Sequence, residues 1–98
     1  MFNIMSTYGR IDLSFERGEG PWLFSVEGKK YLDFATGIAV NTLGHSNNEL
    51  INTLIEQSKK VWHTSNLYKI KPQSDLAELI CKNSFGESVF FCNSVYLL

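Results

Sequence analysis

The sequence predicts an α/β chain, read as an α+β piece of that class: a hairpin, two helices and one strand of a larger sheet. Three observations carry this. Residues 22–34 alternate apolar and polar side chains about a turn. Two later segments repeat apolar residues at helical spacing. After them, Ser88-Val-Phe-Phe-Cys-Asn93 is apolar enough to be buried on both faces, as strands of helix-covered parallel sheets are.

Composition sets the limits. A chain of 98 residues makes about one small domain with a modest core. Apolar content of 44% with 19% charged residues excludes a disordered chain. Nine basic and ten acidic residues give a net charge of −1, spread along the chain. No basic stripe follows a phosphate backbone, so nucleic acid is not an expected partner. No apolar run approaches the roughly 20 residues that cross a bilayer, so no membrane partner is expected. The N-terminus lacks the basic and apolar regions of a signal peptide, and a cytoplasmic location is expected. Cys81 and Cys92 lack metal-ligand spacing. They read as reduced core thiols, and no metal site is expected.

The chain is expected to divide into residues 1–45, holding an arm, the hairpin and a loop, and residues 46–98, holding the helices and the first sheet strand. Residues 1–10 read as the arm, after which Leu13-Ser-Phe-Glu-Arg17 has a short strand pattern that Gly18-Glu-Gly-Pro21 breaks. Glu27-Gly28 supplies the hairpin turn. Ser46 and Glu49 fit a capping box for a helix over about 47–61, with Leu50, Ile51, Leu54, Ile55, Val61 and Trp62 on its apolar side. Pro72 suits the first turn of a second helix. Its apolar stripe is Leu76, Ala77, Leu79 and Ile80, and Gly86 is placed to end it in the left-handed region.

Two loops stand out. In residues 31–45, Gly37 and Gly44 frame the apolar run Ile38-Ala-Val40 between two points of backbone freedom. It reads either as a tight strand-to-helix connection or as a ligand loop. Residues 62–68 set polar side chains between Trp62 and Tyr68 and read first as a connection, second as a ligand or subunit contact.

Five motifs in order carry a resemblance: Asp12-Leu-Ser-Phe-Glu-Arg-Gly-Glu-Gly20, Gly28-Lys-Lys-Tyr-Leu-Asp-Phe34, Gly37-Ile-Ala-Val-Asn41, Gly44-His45 and His63-Thr-Ser-Asn-Leu-Tyr68. Together they resemble the N-terminal segment of class-III pyridoxal-phosphate aminotransferases of the acetylornithine type, over about residues 8–94. The resemblance implies a fold-type-I architecture whose small domain includes the hairpin. It implies a homodimer with active sites between subunits. It implies pyridoxal phosphate as cofactor, and amino transfer between N2-acetylornithine and 2-oxoglutarate in arginine or lysine synthesis. By the same resemblance Ile38 helps shape the substrate pocket, and residues 63–68 lie near the dimer and active-site region.

The tail departs from that pattern. After Asn93-Ser94 the family opens a helix whose backbone N–H groups hold the cofactor phosphate, whereas here Val95-Tyr-Leu-Leu98 follows. Asn93 and Ser94 are the remnant of that cofactor site. Ser46-Asn-Asn48 likewise stands where the family has a His-Pro pair after Gly-His. Lys29, Lys30, Lys59, Lys60, Lys69, Lys71 and Lys82 read as surface lysines, none in the context of a Schiff-base lysine. The expectation is therefore a truncated aminotransferase-like chain with no catalytic residue of its own, inactive alone and binding no cofactor alone. The alternatives are a non-enzymatic interaction module, or a fragment completed by a separately encoded chain.

Overall fold

The strand pattern at 13–17 and the hairpin of 22–34 fold as three strands. The computed structural model describes residues 3–93. Its elements are β1 (Phe15–Glu19), β2 (Trp22–Ser25), β3 (Lys30–Leu32), α1 (Thr36–Ala39), α2 (Asn48–Ser58) and α3 (Lys71–Lys82). The chain falls into two units, Met1–Lys60 and Val61–Leu98.

The first unit is built on a three-stranded antiparallel sheet in the order β1-β2-β3. Gly18 and Glu19 continue β1 instead of breaking it, and the reversal falls at Gly20–Pro21. β2 and β3 pair Trp22 with Leu32, Leu23 with Tyr31 and Phe24 with Lys30. Their turn is closed by the Gly28 amide donating to the Ser25 carbonyl at 2.9 Å and the Ser25 amide to the Lys29 carbonyl at 2.8 Å.

β1 carries a bulge. Phe15 pairs with Ser25 and Arg17 with Phe24, so Glu16 is an extra residue on that strand. Strand alternation would place Phe15 and Arg17 on one face; the bulge separates them. Phe15 meets Tyr31 edge-on, with ring centroids 5.6 Å apart. The Arg17 guanidinium stacks on the Phe24 ring, 3.6 Å from its centroid, and the Lys30 ammonium sits 4.0 Å from that of Trp22. Cations thus cover two rings that no core covers, a contact worth about 0.5–1 kcal/mol at exposed sites. Only Ser25 is buried among the described residues, at 1% exposure. Its hydroxyl accepts from the Lys29 amide at 3.2 Å, which satisfies it inside the turn.

α2 corrects the capping prediction. Asn47, not Ser46, is the N-cap: its Oδ1 accepts from the Glu49 and Leu50 amides at 3.0 and 3.1 Å. Ser46 is turned away, with φ at 56°, and its hydroxyl donates to the Gly18 carbonyl at 2.7 Å. The helix stops at Ser58, short of the expected 61. Leu50, Ile51, Leu54 and Ile55 are all exposed, and α2 packs on no strand of its unit.

The second unit holds α3, with Pro72 in its first turn as predicted. Asn83 ends it, its side-chain amide donating to the Leu79 carbonyl at 2.8 Å. Gly86 lies beyond that cap and outside the left-handed region, so the expected glycine cap is not used. Residues 88–93, expected to form a strand, lie in none. A strand exists through its ladder, and no neighbouring strand is present in this unit among the described residues. Val89 and Phe91 are instead half-buried, and with Gln73, Ser74 and Ala77 they line a surface cavity of about 370 Å³. Neither cysteine is a core thiol: Cys81 is half-buried and Cys92 exposed, both free.

Candidate functional site

The loop from Asp33 to His45 is closed at its own ends. β3 delivers Asp33, and the Asp33 amide donates to the Pro21 carbonyl at 2.9 Å. On the return, His45 forms an isolated antiparallel bridge with Gly20, with N–H to carbonyl distances of 2.8 and 2.9 Å. Both ends are therefore pinned to one turn, Gly20–Pro21. This brings the imidazole Nε2 of His45 within 2.7 Å of Asp33 Oδ2. An ionised carboxylate only accepts, so the imidazole donates. The pair is shielded, with side-chain exposures of 8% for Asp33 and 17% for His45.

Gly18 makes this possible. A Cβ there would stand 2.5 Å from His45 Cβ and Cγ, so the ring lies directly on the glycine backbone of β1. A cavity of about 270 Å³ opens beside the pair, lined by Gly20, Pro21, Asp33, Thr36 and residues 41–45.

The other oxygen of Asp33 holds the start of the loop. Oδ1 accepts from the Ala35 amide at 3.1 Å and from the Thr36 amide at 2.8 Å. The hydrogen bond from His45 does most to pull the Asp33 carboxyl below its ordinary value, followed by that from the Thr36 amide. Burial opposes this, and the Ala35 amide and the charge of a protonated His45 add to it.

Directly after this anchor the backbone turns left-handed. Thr36, Gly37, Ile38 and Ala39 have φ of 48°, 63°, 61° and 61°. With ψ of 37° at Gly37 and 59° at Ile38, α1 is one turn of left-handed helix, near the ideal of about +57°/+47°. Its i to i−4 bonds run from the Ala39 amide to the Ala35 carbonyl and from the Val40 amide to the Thr36 carbonyl, at 3.2 and 2.9 Å. Gly37 takes this form freely. Thr36, Ile38 and Ala39 do not: each L residue pays roughly 1–2 kcal/mol, and a β-branched one such as Ile38 is a true outlier. Such strain persists only where surrounding contacts hold it, and it concentrates at ligand sites.

The turn sets Ile38 outward at 93% exposure. Replacing Ile38→Gly is expected to stabilise the chain by about 1 kcal/mol, because relief of the left-handed penalty exceeds the entropy that glycine adds to the unfolded state. Thermal unfolding followed by circular dichroism checks this; a lowered midpoint would show that the turn is not strained.

In the sequence, Ile38 and the glycines mark this loop, whereas Asp33 and His45 stand within the resembling motifs without a role of their own. The available signal was an Asp at a strand end with free amides two and three residues on, the pattern of an Asx turn. Its histidine partner, twelve residues further, depends on the bridge to Gly20 and is not a local signal. In the second unit Asn93 is exposed, and Ser94 lies outside the described residues. Residues 63–68 form a turn in which Ser65, at φ 68°, accepts from the Leu67 amide through its hydroxyl.

Geometry and sequence together define an aminotransferase segment. The chain belongs to the class-III aminotransferases, whose family pattern it matches over residues 4–95. It is 49% identical over 92 residues to the acetylornithine aminotransferase of Rhodobacter capsulatus, covering 94% of this chain and 23% of that protein. It is 55% identical over 91 residues to that of Prochlorococcus marinus, covering 93% and 22%. Among solved structures it resembles N-acetylornithine aminotransferase from Stenotrophomonas maltophilia, with a TM-score of 0.81 and 42% identity over 91% of this chain and 25% of that one. It also resembles adenosylmethionine-8-amino-7-oxononanoate aminotransferase from Methanocaldococcus jannaschii, with a TM-score of 0.75 and 31% identity over 84% of this chain and 20% of that one. The fold is thus a segment of the fold-type-I architecture. The chain spans about a quarter of the length of these relatives.

The family implies pyridoxal phosphate in the whole enzyme. The described residues do not by themselves fit it. All seven lysines are exposed, and Asn93 lies in no helix that could offer its N-terminal amides to a phosphate. No helix among the described residues is long and apolar enough to cross a membrane.

Proposed function

We propose that this chain is the substrate-facing segment of an acetylornithine-type aminotransferase. The parent reaction moves an amino group between N2-acetylornithine and 2-oxoglutarate with pyridoxal phosphate, in arginine synthesis. The observation that carries this is the 49–55% identity to acetylornithine aminotransferases along more than nine-tenths of the chain. In this reading the left-handed turn presents Ile38 as a wall of the amine-donor pocket. Asn93 and Ser94 lie on the phosphate side of the cofactor, the working enzyme is a cytoplasmic homodimer, and these 98 residues alone do not transaminate.

Two measurements test it. The purified chain with pyridoxal phosphate, N2-acetylornithine and 2-oxoglutarate is expected to form glutamate no faster than free cofactor does. A chimera carrying residues 4–94 in place of the matching segment of the Rhodobacter capsulatus enzyme is expected to form it at the enzyme's own order of rate. A folded, cofactor-loaded chimera without turnover overturns the assignment. In that chimera Ile38→Lys is expected to raise KM for N2-acetylornithine at least about tenfold, since a charge replaces an apolar wall. An unchanged KM removes Ile38 from the pocket.

A further inference from the structure

We infer that Asp33 and His45 are positioning residues: their hydrogen-bonded pair holds the left-handed turn Thr36–Ala39, and so fixes where Ile38 projects. This rests on the reading of Ile38 as a substrate-facing residue, but the clamp is a property of the chain alone.

Several observations converge on it. Three L residues in the turn occupy a backbone region that only surrounding contacts can hold. Ile38 itself supplies no such contact, being exposed. The side chain that grips the entry to the turn is Asp33, through the Ala35 and Thr36 amides. Asp33 is in turn oriented by His45 at 2.7 Å on its other oxygen. His45 is fixed from behind by the bridge to Gly20 and by the bare backbone of Gly18. The chain of restraint therefore runs from the sheet through His45 and Asp33 to the turn. Among the described residues, Asp33 and His45 are the only titratable ones lining the cavity around the pair, and His45 is the one charge that acts on the Asp33 carboxyl.

The role separates from mere stability by where its loss is felt. Protein NMR on the 98-residue chain reads the turn directly, because a positive φ gives a strong intraresidue amide–Hα NOE. That signature is expected at Thr36, Ile38 and Ala39, with slow exchange of the Val40 and Asn41 amides, both bonded to the Thr36 carbonyl. Asp33→Ala and His45→Ala are expected to abolish the NOE pattern and speed those two amides at least about tenfold. The Ser25 amide, bonded to Lys29 in the β2–β3 turn, is expected to keep its protection. Asp33→Asn, which keeps an oxygen for both loop amides and an N–H for the imidazole, is expected to restore the turn. Persistence of the left-handed signature in both alanine variants overturns the inference. So does loss of the turn and of Ser25 protection together in every variant, which would make the pair a general support of the fold. Acidifying the wild-type chain gives a third reading: the turn must release before Ser25 loses protection, and simultaneous loss counts against the clamp. No substrate enters these measurements, so their outcome is independent of the KM of the Ile38 chimera, which alone decides whether Ile38 meets the amine donor.

Discussion

Gly44→Ala is expected to open the loop and cost the first unit roughly 2–3 kcal/mol. Two penalties add there. Gly44 has φ of 78°, which an L residue adopts only with strain. A Cβ would also stand 2.9 Å from the Gly20 carbonyl oxygen and 3.0 Å from its carbon, and these are backbone atoms that cannot swing aside. Relief requires the 44–45 segment to move off Gly20, which breaks the bridge that carries His45. The measurement is hydrogen exchange at the Gly20 and His45 amides, which donate to each other's carbonyls. At about 1.4 kcal/mol per factor of ten, their protection should fall roughly 30- to 150-fold. Gly9→Ala is the control, since nothing lies within 4 Å of its Cβ position. Equal protection in Gly44→Ala and Gly9→Ala would mean that the bridge does not organise the loop. Gly18→Ala probes the other side of the same ring. Its Cβ would stand 2.5 Å from His45 Cβ, an atom that no side-chain rotation moves, so residue 45 itself must shift and the loss should fall on the contact with Asp33 and on the bridge to Gly20 together.

Local chemistry was legible in the sequence and long-range pairing was not. The β2–β3 hairpin, the helical stripes and Pro72 follow from periodicity and backbone rules acting within a few residues. Ser46 was the expected N-cap, and Asn47 takes that place while the Ser46 hydroxyl donates to the Gly18 carbonyl, 28 residues earlier in the chain. Residues 88–93 show the limit from the other side. Their apolar character is real, but a strand requires a second strand, and composition cannot supply one. The bulge at Glu16 is likewise a matter of pairing register, and only that register reveals why Arg17 covers Phe24 while Phe15 meets Tyr31. For the candidate site, glycine spacing pointed to the loop, and the family resemblance pointed to Ile38. The left-handed turn was hidden, because Thr36, Ile38 and Ala39 are residue types that avoid it. Conformation against propensity is the mark that a position is held for a purpose other than local stability.

That hold should fail in acid, and it should fail through Asp33. In the unfolded chain the Asp33 carboxyl titrates near its ordinary value of 3.8; in the folded chain it titrates lower, chiefly because the imidazole and the Thr36 amide donate to it. At pH values between these two points the unfolded chain binds a proton that the folded chain does not, so lowering pH favours unfolding. The stabilisation is therefore complete above the ordinary carboxylate range and is lost as pH falls through the folded value. Thermal unfolding of the wild-type chain should show a midpoint that drops as pH falls from the ordinary carboxylate range through the lower folded value. Asp33→Asn removes the titrating group but keeps acceptors for the Ala35 and Thr36 amides. Its midpoint should be lower than wild type near neutrality, where the charge-assisted bond is missing, and should fall less steeply in acid, so that the two curves converge. Parallel curves across that range would show that other carboxylates carry the acid response. Asp75 and Glu78 serve as comparison, because their pairs with Lys71 and Lys82 are exposed i to i+4 contacts on α3. Surface pairs of that kind contribute little, and Asp75→Asn should leave the acid limb unchanged. The contrast rests on geometry: Asp33 joins two chain segments and a strained turn through one carboxylate, whereas Asp75 spans a single turn of helix in water.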